Sequence, residues 1–316
     1  MSSHRRVKVL LTNDDGPPGP ESPYIYGLYR HLTEDLGKAY QIKEIIHGRY
    51  YYPREPEGEG ETSEKSRPLR EGEVAETSRC SSPPFKTPAT CANIGLHNIY
   101  SGEVDLVISG PNLGRNSSAA FALSSGTIGA AMSSSLSQTR SIALSYGTVI
   151  HPTPQEFFEP AHRLGSRIIQ YLLDNWGKDP TGIRNGEVDL YNVNIPMIKE
   201  LLQEGGMKVC WTTIWRNGYG RLFKPHKHSE PSTSAAGPDA DVGVPGAADA
   251  EHLVFKFSPD MSGILNPKDS PVGSDGWAIA QGHASVTPMR ATFAEAEVIG
   301  LVPATDIEGG IRKLKL

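Results

Sequence analysis

Val7-Lys8-Val9-Leu10-Leu11-Thr12-Asn13-Asp14-Asp15-Gly16 runs an apolar segment straight into two adjacent carboxylates and a glycine. Apart from Lys8, every residue from Val7 to Leu11 is apolar, the pattern of a strand covered on both faces as in a parallel sheet. In open α/β sheets, ligands gather beyond the carboxyl ends of the strands, which is where Asp14 and Asp15 fall. Successive strand residues point to opposite faces, so the two carboxylates share a site only after the chain leaves β geometry. Gly16-Pro17-Pro18-Gly19-Pro20 forces that exit. Paired hard-oxygen ligands at such a point suit Mg²⁺ or Mn²⁺. A turn capped by Asp14 is the competing reading, because turns favour Asp and Gly.

Outward from this strand, Ile25, Leu28, Tyr29 and Leu32 have helical spacing and predict a helix over 22–36, with Gly37 as its stop. A buried second strand should follow. Instead, residues 37–47 are interrupted by Lys43 and Glu44 and continue into Tyr50-Tyr51-Tyr52-Pro53, an exposed strand or hairpin arm. Residues 54–79 are rich in Glu, Arg, Gly, Ser and Pro and read as a solvated loop. Order returns with a helical pattern at Cys91, Ile94, Gly95 and Asn98, and a buried strand over 104–109. A small-residue helix follows from Ser125, then a strand over 141–146 and an amphipathic helix opened by Thr153-Pro154-Gln155-Glu156. Leu190–Pro196 is expected to close the sheet. Beyond it lie isolated strands at 208–215, 253–257 and 277–286, separated by a mobile loop at 230–250. The fold expected is α/β: a Rossmann-like, doubly wound, mostly parallel sheet with a β-rich C-terminal extension.

A chain of 316 residues holds a substantial core, and its net charge of −5 leaves no basic field to grip nucleic acid by charge alone. No apolar run is long enough for a bilayer, and Met1–Arg6 lacks the apolar stretch of a secretory signal. Cys80, Cys91 and Cys210 fit neither a zinc set nor a disulfide framework, which favours a cytoplasmic or nuclear compartment.

Ser109-Gly110-Pro111-Asn112-Leu113-Gly114-Arg115-Asn116 follows the 104–109 strand, so its polar groups should reach the same sheet edge as Asp14 and Asp15. Asn112 offers a neutral carbonyl oxygen to a cation already neutralised by carboxylates. Ser125-Gly126-Thr127 opens a helix, whose free N–H groups favour phosphate. Taken singly, Asn112 is also a turn residue and Ser125 also a helix cap. Their convergence with the carboxylate pair points to metal-assisted phosphate chemistry. His47, His283, His226 and His228 read as structural or solvent-facing, and core packing is the better reading for at least two of Trp211, Trp215 and Trp277.

Leu10–Gly16, Ser109–Gly114 and Ser125–Ala131 resemble the three signature segments of the survival protein E (SurE) family. Thr87-Pro88-Ala89-Thr90-Cys91, Asn192-Val193-Asn194-Ile195-Pro196, Gly273-Ser274-Asp275 and Ser285-Val286-Thr287-Pro288 resemble further family segments. Asn116-Ser117-Ser118-Ala119-Ala120-Phe121 is most similar to eukaryotic, fungal-type members, some of which carry a following tubulin-tyrosine ligase domain that is not expected within these residues.

The resemblance implies a single domain over 1–316, its core at about 5–200 and its extension at about 201–300. The implied activity is a metal-dependent phosphomonoesterase: a 5′/3′-nucleotidase or acid phosphatase acting on nucleoside monophosphates. Carried over by position, Asp14 and Asp15 are the catalytic pair and bind Mg²⁺ or Mn²⁺ with Asn112. Asn13, Asn116, Ser125, Gly126 and Thr127 hold the phosphate. The resemblance also implies a homodimer or homotetramer. One departure stands out: the family's second strand, with a metal-binding serine loop, is skipped, because Gly37-Lys38-Ala39-Tyr40 follows the first helix directly. An omitted exon or misassigned splice would explain that join. The alternative function is a catalytically impaired relative that binds nucleotides or scaffolds a partner. A dinucleotide oxidoreductase is disfavoured, because no Gly-x-Gly-x-x-Gly follows the first strand.

Overall fold

The apolar run at residues 9–12 does form a strand, and its partner fixes the sheet direction. In the computed structural model the described residues are 7–13, 22–36, 48–55, 58–63, 65, 67–74, 77–80, 88–148, 152–218, 220–225, 255–258, 269–293, 307–308 and 311–312. In chain order the elements begin with β1 (Val9–Thr12), α1 (Pro23–Leu36), β2 (Gly48–Pro53), β3 (Gly60–Ser63) and β4 (Thr77–Cys80). Next come α2 (Pro88–Ile94), which passes into a π-helical turn, then β5 (Leu106–Asn112), α3 (Ser118–Ser124), α4 (Gly126–Leu136) and β6 (Arg140–Gly147). A 3₁₀ turn at Gln155–Phe157 leads into α5 (Phe158–Asp174), followed by β7 (Leu190–Pro196), β8 (Val209–Trp211), β9 (Phe223–Pro225) and β10 (Phe255–Phe257). The chain continues with α6 (Asp275–Ala280), β11 (Ala284–Met289), β12 (Ile307–Glu308) and β13 (Ile311–Arg312).

The main sheet has six strands in the order β1-β5-β6-β7-β11-β8. β1, β5, β6 and β7 are parallel, and β11 runs antiparallel to β7. Alternation along the strands builds two apolar faces. Val9, Ile108, Leu144 and Val193 join α1 and α5 in the larger core. Leu10 and Val107 face the opposite way, as do Ala143 and Leu190 with Ile128 and Ala131 of α4. The sheet is therefore covered on both sides, a mostly parallel Rossmann-like α/β arrangement, and that is why its central strands read as continuous apolar runs. α4 packs on α2 and on β5 and β6. Its small residues permit this closeness, and its buried Ser134 and Ser135 return their hydroxyls to the Ala130 and Ala131 carbonyls at 2.8 and 3.1 Å.

Several expectations are corrected. β7 does not close the sheet, because β11 and β8 continue it. Residues 277–280 belong to α6, started by the Ser274 hydroxyl accepting the Trp277 N–H at 3.2 Å, so the strand begins only at Ala284. The 54–79 stretch is not simply loop: it supplies β3 and most of β4, which flank β2 in a separate antiparallel sheet. Nor is the β2 arm simply exposed, since Tyr51 and Tyr52 are buried. Charge does part of the work of a core here. The Arg67 guanidinium lies 3.8 Å over the Tyr52 ring and donates twice to Glu73, at 2.6 and 2.8 Å. Among the described residues β1 pairs with β5 alone. Residues 37–47, which carry the join after the first helix, lie outside the described residues, as does the 230–250 loop.

Candidate active site at the carboxyl edge of the sheet

β1 and β5 run side by side with Thr12 opposite Ser109, so both chains leave the sheet at the same edge. Asn13 is the first residue beyond β1, and its Nδ2 donates to the buried Ser22 hydroxyl just before α1 at 2.7 Å. Asp14 and Asp15 follow in sequence and lie outside the described residues. The end of β5 is irregular, with a register shift between Ser109 and Asn112. Gly110 has φ +118°, and a Cβ there would stand 2.1 Å from the Leu144 carbonyl oxygen, so only glycine fits. The shift brings Asn112 opposite Ser145 of β6. The close approach is repeated at Gly114, where a Cβ would meet the Asn112 Nδ2 at 2.9 Å.

Asn116 is buried and fixed from several sides. Its backbone N–H donates to Asn194 Oδ1 at 2.9 Å, and its carbonyl accepts from Asn192 Nδ2 at 2.8 Å. Its own Nδ2 donates to Ser145 Oγ at 2.8 Å. Asn192 and Asn194 sit two apart on β7 and so share a face of that strand. A further anchor comes from the far end of the chain. Asp275 is fully buried, and its carboxylate accepts from the N–H groups of Ser118 (2.6 Å), Trp215 (2.9 Å) and Gly276 (2.7 Å). Burial pushes the Asp275 carboxyl above its ordinary range, against the lowering effect of these three N–H groups and of the Arg115 charge. Ser118, at φ +70°, is held in a conformation that a serine seldom adopts.

α4 is the crossover between parallel neighbours β5 and β6, so its N-terminus must start at the carboxyl edge. Ser125 caps it, accepting the Ile128 N–H at 3.2 Å while keeping its own hydroxyl proton to donate. Thr127 is buried, and its hydroxyl has no partner among the described residues. The geometry therefore brings Asn13, Asn112, Asn116, Ser125, Gly126 and Thr127 to one edge. Sequence reasoning missed Asn192, Asn194 and Asp275 as positioning residues. The available signal was polar residues alternating inside an otherwise apolar strand. A groove of about 760 Å³, lined by Arg163, Tyr171, Trp211 and others along α5 and β8, shares no residue with this edge.

A mostly parallel, doubly covered sheet with Asn- and Gly-rich loops and a small-residue helix start at its carboxyl edge defines a Rossmann-like α/β protein, a class in which ligands gather at that edge. The family model for survival protein SurE matches residues 9–221, and the chain belongs to that family. Among its relatives, a probable tubulin–tyrosine ligase, PBY1, of Saccharomyces cerevisiae is 29% identical over 350 residues, covering 97% of this chain and 44% of the yeast protein. The chain thus spans less than half of that relative, whose own length includes residues that the alignment finds no counterpart for here. The 5′-nucleotidase SurE of Ruegeria pomeroyi is 28% identical over 95% of this chain and 100% of its own, and that of Archaeoglobus fulgidus 29% identical over 90% and 91%. The crystal structure of the SurE protein from Aquifex aeolicus superposes with a TM-score of 0.56 at 21% identity, covering 92% of this chain and 96% of that one, a likeness of fold.

Proposed function

We propose that the chain is a metal-dependent phosphomonoesterase acting on nucleoside monophosphates. What supports the reading is that the Asn112–Asn116 loop leaving β5 and the capped start of α4 fall at the same sheet edge, where β1 delivers Asn13. Bacterial and archaeal relatives named 5′-nucleotidase SurE support it. The donors present fit a hard cation: Asn13 and Asn112 bring neutral amide oxygens to adjacent strand ends, and the two carboxylates follow Asn13 in sequence. Asp14, Asp15 and Asn112 would hold Mg²⁺ or Mn²⁺, which when bound polarises the phosphoryl group and offsets its charge.

The protein's own contribution is positioning. The Gly126 and Thr127 N–H groups at the start of α4, with the Ser125 hydroxyl proton, would meet the phosphoryl oxygens as charge develops on them. The Asn192–Asn194 pair and Asp275 would keep the Asn116 loop and α3 still while this happens, so that little reorganisation accompanies the reaction. Buried hydrogen bonds make that placement rigid.

The skipped serine loop favours a second reading, a relative that binds nucleotides without turning them over. One experiment separates the two. Purified chain is assayed against p-nitrophenyl phosphate and AMP with Mg²⁺ or Mn²⁺ and with EDTA, beside an Asp14→Ala/Asp15→Ala variant. Turnover that needs metal and vanishes in the variant supports the enzyme. A folded chain with no turnover, still binding AMP, supports the non-catalytic relative.

A further inference from the structure

Arg115 is a cation whose charge no hydrogen bond or ion pair meets among the described residues. It lies between Gly114 and the immobilised Asn116, so its backbone is fixed at the carboxyl edge. Its Cβ is 3.9 Å from the place a Cβ on Gly147 would occupy, at the carboxyl end of β6. Its guanidinium carbon lies 6.0 Å from the centroid of the Phe121 ring on α3. The side chain is partly withdrawn from solvent, and among the described residues it makes no hydrogen bond or ion pair. Other partly withdrawn arginines behave differently. Arg67 is paired with Glu73, and Arg140 and Arg184 with Glu187. Among the described residues the counter-charge that acts on Arg115 is Asp275, whose oxygens already accept three backbone N–H groups. Burial accordingly lowers the Arg115 pKa from its ordinary value, the direction expected of a desolvated cation whose charge is incompletely met.

A guanidinium kept partly dry and unpaired is costly to the fold, and such costs concentrate where a ligand later meets them. Its planar fork of five donors matches the oxygens of a phosphate. We propose that Arg115 receives the phosphoryl group of the substrate, its guanidinium donating to the non-bridging oxygens beside the amides at the start of α4. This assignment rests on the phosphomonoesterase reading for its substrate and on the geometry of Arg115 for its anion. Phosphomonoesters, whose terminal group is a dianion, are the class it selects, over diesters that carry a single negative charge.

The test pairs Arg115→Met, which keeps the length and apolar stem, with Arg115→Lys, which keeps the charge without the fork. Binding of inorganic phosphate is measured by calorimetry on metal-free protein. KM and kcat for AMP, and the melting temperature, are measured alongside. We expect Arg115→Met to weaken phosphate binding and raise KM by ~10–100-fold, with an unchanged or higher melting temperature. Arg115→Lys should recover part of the loss. Wild-type turnover with phosphate binding unchanged in Arg115→Met overturns the assignment. A fall in melting temperature that accompanies the loss and is not relieved by lysine also overturns it, marking a structural role. Phosphate binding that depends on Arg115 in a wild-type chain without turnover keeps the anion site and removes the enzymatic reading. Absence of both binding and turnover removes both.

Discussion

At the scale of single residues, the site is held by buried polar groups. Asn194 accepts the Asn116 N–H, and Asn192 donates to the Asn116 carbonyl, so the loop carrying Asn112 and Arg115 is pinned to β7 rather than to its own neighbours. Asn194→Leu keeps the branched outline of the side chain but leaves that N–H buried and unpaired. It should cost ~1–3 kcal/mol in urea denaturation and raise KM for AMP, because an orphaned buried donor bears its full desolvation penalty. Gly110 is held to glycine on two counts, its positive φ and the Leu144 carbonyl 2.1 Å from a would-be Cβ. Gly110→Ala should therefore lose ~3 kcal/mol by the same measurement, from clash and backbone strain together. Neither requirement is written in the residues' own propensities. Gly110 was legible as a loop glycine, whereas the Leu144 carbonyl that excludes a side chain is far away in sequence.

At the scale of elements, the packing of α1 on α5 contains a titrating group. His162 of α5 is buried, its Nδ1 2.9 Å from the Tyr146 hydroxyl on β6. Its Nε2 lies 2.3 Å from where a Cβ on Gly27 of α1 would be, so glycine lets the two helices close. Gly27→Ala should destabilise by ~1–3 kcal/mol, read as a lower urea midpoint at unchanged slope. Burial first, and the nearby His31 second, lower the His162 pKa to about 4. The folded state thus refuses a proton that the unfolded chain accepts near its ordinary pKa of about 6.5. Stability from this group is complete above that pH and is lost as pH falls toward 4, on the order of 3 kcal/mol in all. His162→Gln retains a hydrogen-bonding side chain without a titrating imidazole. It should melt lower at pH 7.5 and show a flatter decline between pH 6.5 and 4. An equal slope in the two proteins would assign the acid sensitivity to other groups.

At the scale of the whole molecule, the sheet is asymmetric. β5, β6 and β7 are paired on both sides and covered on both faces, whereas β1 is paired among the described residues only with β5. Yet β1 delivers Asn13 to the candidate site. Hydrogen exchange followed by mass spectrometry should find β5 to β7 slowest and β1 markedly faster despite its buried Val9 and Leu10. Equal protection of β1 and β6 would mean that the second edge of β1 is covered.

The chain by itself determined the class of fold and most of its elements, because a strand buried on both faces and an amphipathic helix each leave a periodic apolar signature in consecutive residues. It also determined which loops belong together at the carboxyl edge, since parallel strands with helical crossovers allow no other placement. Only the tertiary structure decided what holds those loops. The 277–286 stretch reads as one strand because its apolar content does not distinguish a short helix from β structure, and the Ser274 cap that separates them is a local hydrogen bond. Tyr52 of β2 reads as exposed because its cover, Arg67 held by Glu73, is built of charges that ordinarily signal a solvated surface. Asp275 was legible as a motif residue but not as the clamp on α3, because it lies 157 positions from Ser118. Periodicity records which side of an element is buried. It does not record which distant donor a buried polar group meets, and at this edge those meetings fix the site.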